Sequence, residues 1–164
     1  MLNLFKKSYK SRFAAKLGKA TQHKMFTNCE FKCSTSDSFI NYSCDIYGDY
    51  LIQKLGGEPY ICRELEITCE KDDSSNNDSN LIKLIIPFSE DFSPFLDEEL
   101  EAACQAHKTR KKFAAVTCQT TACDVRVPEE INGLILMISD VNENNFDEKL
   151  ELLLDAVYTL LENM

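Results

Sequence analysis

The most regular pattern of apolar and polar positions lies at the end of the chain. Phe146, Leu150, Leu153, Leu154, Val157, Leu160, Leu161 and Met164 recur at three- and four-residue steps, one stripe of a helix with 3.6 residues per turn. Glu148, Glu151, Asp155 and Glu162 fall on the other side. Asn145 stands at the cap position with Glu148 three residues on, and Asp147 lies in the first turn, where a carboxylate meets the positive helix end. A helix with one apolar stripe needs a surface to lie on, and the preceding segment supplies it. Residues 113–118 and 122–127 read as strands, or as one strand kinked at 119–121. Asn132-Gly133 then turns the chain into the apolar run 134–139, which reads as a strand covered on both faces.

Upstream the pattern changes period. From residue 25 to 69 apolar positions recur closer to every second residue, which predicts strands over 25–33, 39–46, 50–55 and 60–69. Gly56-Gly57 reads as a hairpin turn between the last two. Residues 71–80 are almost entirely Asp, Ser and Asn flanked by Lys71 and Asn80, a flexible solvated loop. A strongly apolar strand follows over 81–88, ended by Pro87. Ser93-Pro94 opens a middle helix with Asp97, Glu98 and Glu99 early and Lys108, Arg110, Lys111 and Lys112 late. Its apolar face is Leu96, Leu100, Ala103, Cys104 and His107. Residues 2–18 also read as a helix, with Leu2, Phe5, Tyr9, Phe13 and Leu17 on one face and Gly18 at its end. The expected class is α+β: a mostly antiparallel sheet with N-terminal, middle and C-terminal helices, residues 25–164 forming a single domain.

Charge divides the chain of 164 residues at the same place. Residues 1–24 carry seven lysines and arginines and no acid; the rest carry the remaining 11 basic and all 27 acidic side chains, a net of −16. So acidic a body repels phosphates, which argues against nucleic acid as a partner. The basic amphipathic head has three readings: a helix docked on the domain, a membrane contact on an anionic surface, or a mitochondrial presequence. No apolar run approaches the ~20 residues that span a bilayer, and none resembles a signal-peptide core. A soluble, cytoplasmic protein is expected. The eight cysteines fit a reducing compartment, because no Cys-x-x-Cys pair frames a zinc site and the nearest spacings are Cys29–Cys33 and Cys118–Cys123. Most read as small buried hydrophobes.

Candidate chemistry is thin. Asp140, Asn142, Asn144, Glu148 and Glu151 occupy oxygen-ligand positions of a calcium loop, but Asn145 replaces the glycine of the sharp turn and Asp147 stands where an apolar residue normally packs. Asp73, Ser75, Asn77 and Asp78 form a second oxygen-rich run whose closing position is Leu84. Cys104 and His107 sit three apart on one helix face, a spacing that suits a thiolate–imidazole pair, yet no orienting group or oxyanion donor is evident nearby. Neither a glycine-rich phosphate loop nor a nucleophile elbow occurs. No enzyme and no cofactor are expected.

The order of elements resembles the type III secretion chaperone-like fold, which includes class I effector chaperones and YbjN-like proteins. The stretches that carry the resemblance are residues 11–18 as a first helix, 81–88 as a strand before the 96–107 helix, 134–138 as the last strand and 146–164 as the last helix. The resemblance implies a cytosolic homodimer without catalytic residues that holds an extended segment of a client protein. It places the dimer or partner contact on the middle helix, on Leu96, Leu100, Ala103, Cys104 and His107. The alternatives are an organelle-targeted or membrane-peripheral interaction protein anchored by residues 1–24, and a Ca2+-responsive protein using Asp140, Asn142, Asn144 and Glu151.

Overall fold

Six stretches of the chain pair into one antiparallel sheet, and apolar side chains at every second residue of four of them supply its buried face. The structure is a computed structural model that describes residues 30–33, 42–56, 65–71, 80–89, 92–123, 126–142 and 144–164, together with His23. In chain order the elements are β1 (Glu30–Cys33), β2 (Tyr42–Tyr47), α1 (Asp49–Lys54), β3 (Leu65–Lys71), β4 (Asn80–Pro87), α2 (Leu96–Lys108), a 3-10 turn (Lys111–Phe113), β5 (Val116–Thr121), β6 (Gly133–Val141) and α3 (Phe146–Glu162). The strands lie in the order β1-β2-β3-β4-β6-β5, each antiparallel to its neighbour. The expected α+β class is therefore the observed one. The expected helix over residues 2–18 lies outside the described residues, as do residues 72–79 of the polar loop, whose ends Lys71 and Asn80 are paired with each other.

One face of the sheet is closed. Leu65, Ile67 and Cys69 of β3, Ile82, Leu84 and Ile86 of β4, and Leu134, Leu136 and Ile138 of β6 are buried in one cluster with the apolar faces of all three helices. Seven residues of the predicted α3 stripe are buried, Phe146 and Leu153 completely; Met164, past the last turn, is exposed. The other face is half-buried and mixed, with Leu81, Lys83 and Ile85 of β4 beside Ile135 and Met137 of β6. The expectation that β6 is covered on both faces is therefore corrected: its odd-numbered apolar residues belong to this more open side.

Two further expectations change. Residues 50–55 form α1 rather than a strand, because Leu51 and Leu55 are spaced to share one helix face and both are buried. Gly56 then stops the helix in the left-handed region at φ 67°, so the Gly56-Gly57 signal marks a helix end and not a hairpin. Strand β5 ends at Thr121, and the described residues of the second expected strand, 122, 123, 126 and 127, are not in strand conformation. The buried Asn132 bonds here instead: its Oδ1 accepts from the Cys123 N–H at 2.6 Å, and its own N–H donates to the Thr121 carbonyl. At the adjoining Gly133 a side-chain carbon would collide with Cys123 Sγ and crowd the Ile86 carbonyl, so only glycine lets the strands close here.

Burial of Cys69, reinforced by the Glu70 carboxylate beside it, pushes its thiol from an ordinary value near 9 up to about 12. Between those values the unfolded chain has lost this proton and the folded chain keeps it, so stability falls as pH rises through that window. The midpoint of urea unfolding should drop from pH 9 upward in the wild type and more shallowly in Cys69→Ala; identical slopes would show that Cys69 does not carry the effect.

Candidate functional site

The sheet ends at β5, and the register fixes which of its backbone groups face outward. Phe88 N–H donates to the Asn132 carbonyl across the β4–β6 ladder, which sets the parity of the pairing. Leu134, Leu136 and Ile138 therefore turn their main-chain groups to β4, and Ile135 and Met137 turn theirs to β5. Thr117 and Gln119, opposite Met137 and Ile135, complete those bonds. Val116, Cys118 and Thr120 must then point their N–H and C=O groups away from the sheet. Among the described residues no strand pairs with that edge.

Helix α2 lies alongside. His107, at its C-terminal end, bonds to the outward carbonyl of Val116 through Nε2 at 2.7 Å. A carbonyl only accepts, so Nε2 carries the proton. The imidazole stacks near Phe113 with ring centroids 6.2 Å apart, and its Nδ1 is buried without a hydrogen-bond partner. Beyond this contact α2 and β5 leave a groove of about 710 Å³, lined by Glu98, Glu101, Ala102, Cys104, Gln105 and Lys108 from the helix and Cys118, Gln119 and Thr120 from the strand. Its lining carries two carboxylates and one ammonium. The thiols of Cys104 and Cys118 meet there at 3.2 Å. Burial, and then the neighbouring Cys104, raise the Cys118 thiol above its ordinary range, while Lys108 pulls weakly the other way. A smaller groove of about 430 Å³ lies between α2 and α3, with Ala102, Ala103 and Ala106 on one side and Leu160 and Met164 on the other.

The residues expected to meet a second copy do something else. Leu100 is fully buried, Leu96, Cys104 and His107 nearly so, and Ala103 is packed against the same core. The face reads as apolar because it closes the domain, and only Ala103, which lines the groove between α2 and α3, stays partly exposed. Leu100→Asp would therefore probe folding and not association. Cys104 and His107 both pack into the core: Cys104 bonds to Cys118, and the second imidazole nitrogen has no hydrogen-bond partner.

The calcium-like loop is a turn closed by the side chains of Asn142 and Asn145. Asn142 Oδ1 accepts from the N–H groups of Asn144 and Asn145, and Asn145 Oδ1 accepts from the Asn142 N–H. Asn145 also donates through Nδ2 to the Asp140 carbonyl, so it closes the turn instead of capping α3. Asp140 adopts φ 56° there, and Glu151 stays exposed on α3. Among the described residues no group of three or more His, Cys, Asp or Glu side chains is placed to hold a metal ion. No helix among them is long and apolar enough to cross a membrane.

The free edge and the Cys104–Cys118 contact were missed because both depend on register and tertiary packing. The one local signal was that each cysteine sits on an apolar face of its element. The chain matches no protein-family model, no curated protein and no solved structure.

An aspartate at position 100 places an unpaired carboxylate in the core, which costs several kcal/mol. Leu100→Asp should unfold in far less urea than the wild type, whereas Ala102→Asp on the exposed side should stay within about 0.5 kcal/mol of it. A folded Leu100→Asp of wild-type stability and altered molecular mass would restore the dimer contact.

Proposed function

We propose that the chain is a non-enzymatic protein-binding adaptor that holds an extended client segment as an added strand on β5. The observation that carries this reading is the outward backbone of Cys118 and Thr120 facing a groove walled by α2. Such an edge offers hydrogen bonds to any extended chain, while the groove beside it sorts side chains. Proteins usually blunt a free edge with lysine or proline, and the β5 sequence Val-Thr-Cys-Gln-Thr-Thr contains neither. Glu98 and Glu101 in the wall, on an acidic body, favour a segment with basic side chains. The resemblance to type III secretion chaperones supports the same reading, since that resemblance implies holding an extended segment on sheet and helix surfaces.

The test uses an array of extended ten-residue peptides of basic, neutral and acidic composition, with anisotropy titrations of those that bind. Thr120→Pro removes an outward N–H and leaves the bonds to β6 intact, so its melting temperature should stay within a few degrees of the wild type. Basic peptides should bind the wild type and lose about tenfold or more on Thr120→Pro, the effect of roughly 1.4 kcal/mol of lost edge pairing. If no peptide binds, or if Thr120→Pro binds equally well, strand addition at this edge is excluded.

A further inference from the structure

We propose that Cys104 and Cys118 are a redox-active pair that closes into a reversible disulfide, stapling α2 to β5 at the floor of the groove. Their sulfurs are 3.2 Å apart on two different elements, and closing to a bond of ~2.05 Å asks for little movement of either. Both are 6–7% exposed, and the exposure each keeps is toward the groove, which gives a small oxidant its path. Cys69 has neither property: it is completely buried and does not line the groove. The inference rests on these two sulfurs and holds whether or not a peptide occupies the groove.

The oxidant is a hydroperoxide. One cysteine sulfur, as thiolate, attacks a peroxide oxygen; the O–O bond breaks, hydroxide leaves and takes up a proton to become water, and the sulfur becomes a sulfenic acid. The second sulfur, losing its proton, attacks the first; the S–O bond breaks, the hydroxyl leaves as water, and the S–S bond forms. Two thiols have then lost two electrons and two protons, and hydrogen peroxide has become two waters. A dithiol reductant reverses the outcome by exchange. Burial keeps the Cys118 thiolate scarce, so oxidant has to be in excess before the bridge accumulates.

The experiment takes the reduced full-length protein, treats it with excess hydrogen peroxide, blocks remaining thiols with N-ethylmaleimide and maps the tryptic peptides by mass spectrometry. Lys108, Arg110, Lys111 and Lys112 lie between the two cysteines, so cleavage leaves them on separate peptides that only a bridge can join. The linked pair, lighter by two hydrogens and released by dithiothreitol, should dominate the map. Tying a loop of this length should also raise the non-reducing melting temperature by roughly 5–10 °C, a gain absent in Cys104→Ala and Cys118→Ser. Peptides bearing Cys104 and Cys118 as N-ethylmaleimide adducts, as sulfonic acids, or bridged to other cysteines would each overturn the assignment. The wild-type map decides this by itself even if either variant fails to fold.

Discussion

One face of a sheet has to be dry, and almost everything else in this protein follows from how α3 dries it. The seven large side chains of its stripe are each worth roughly 1.5–3 kcal/mol on burial, against a net stability of about 5–15 kcal/mol for a whole domain. The helix therefore cannot lift away while the domain stays folded. It is also tied at its flanks. His23 meets Asp155 at 2.8 Å, and Tyr50 donates to Glu162 at 2.9 Å while stacking on Tyr158. With α3 and α1 joined in this way, α2 closes the same core beside β5, where it both completes the packing and stops short of covering the strand edge.

That geometry decides which chemistry is available. Among the described residues, the titratable groups with shifted pKa values are two buried thiols and one tyrosine, all pushed toward their neutral forms by burial first. Burial that favours the neutral form keeps the thiolate and phenolate forms scarce. The open features are instead backbone: a terminal strand with unpaired groups and a helix wall at a fixed distance from it. His107 links the two, since its bond to the Val116 carbonyl satisfies one edge group and sets where the open stretch begins. A surface of this kind is what the proposed strand addition would use.

The sequence made some of this legible and hid the rest for physical reasons. Helices α2 and α3 and strand β4 were readable because each runs long enough to repeat its period, and Pro87 and the Ser93-Pro94 pair stand at their borders. Helix α1 is only six residues, too few to separate a step of four from a step of two, so Leu51 and Leu55 read as easily as a strand. Residues 122–127 carry strand-like residues, but the side chain of the buried Asn132 takes the backbone N–H of Cys123. In the calcium-like spacing of Asp140, Asn142 and Asn144, the Asn142 side chain serves the local turn, which it closes together with Asn145. The groove was illegible in principle, since the outward direction of Cys118 and Thr120 depends on a bond between Phe88 and Asn132 elsewhere in the sheet.

The proposed binding surface rests on β5 being bonded on one side only. Amide hydrogen exchange of the isolated full-length protein, resolved residue by residue, reads this directly. Thr117 and Gln119, bonded to β6, should be protected for far longer than Cys118 and Thr120, whose amides face the groove. Equal and strong protection at all four positions would mean that the edge is already covered, and the binding surface would have to be sought elsewhere.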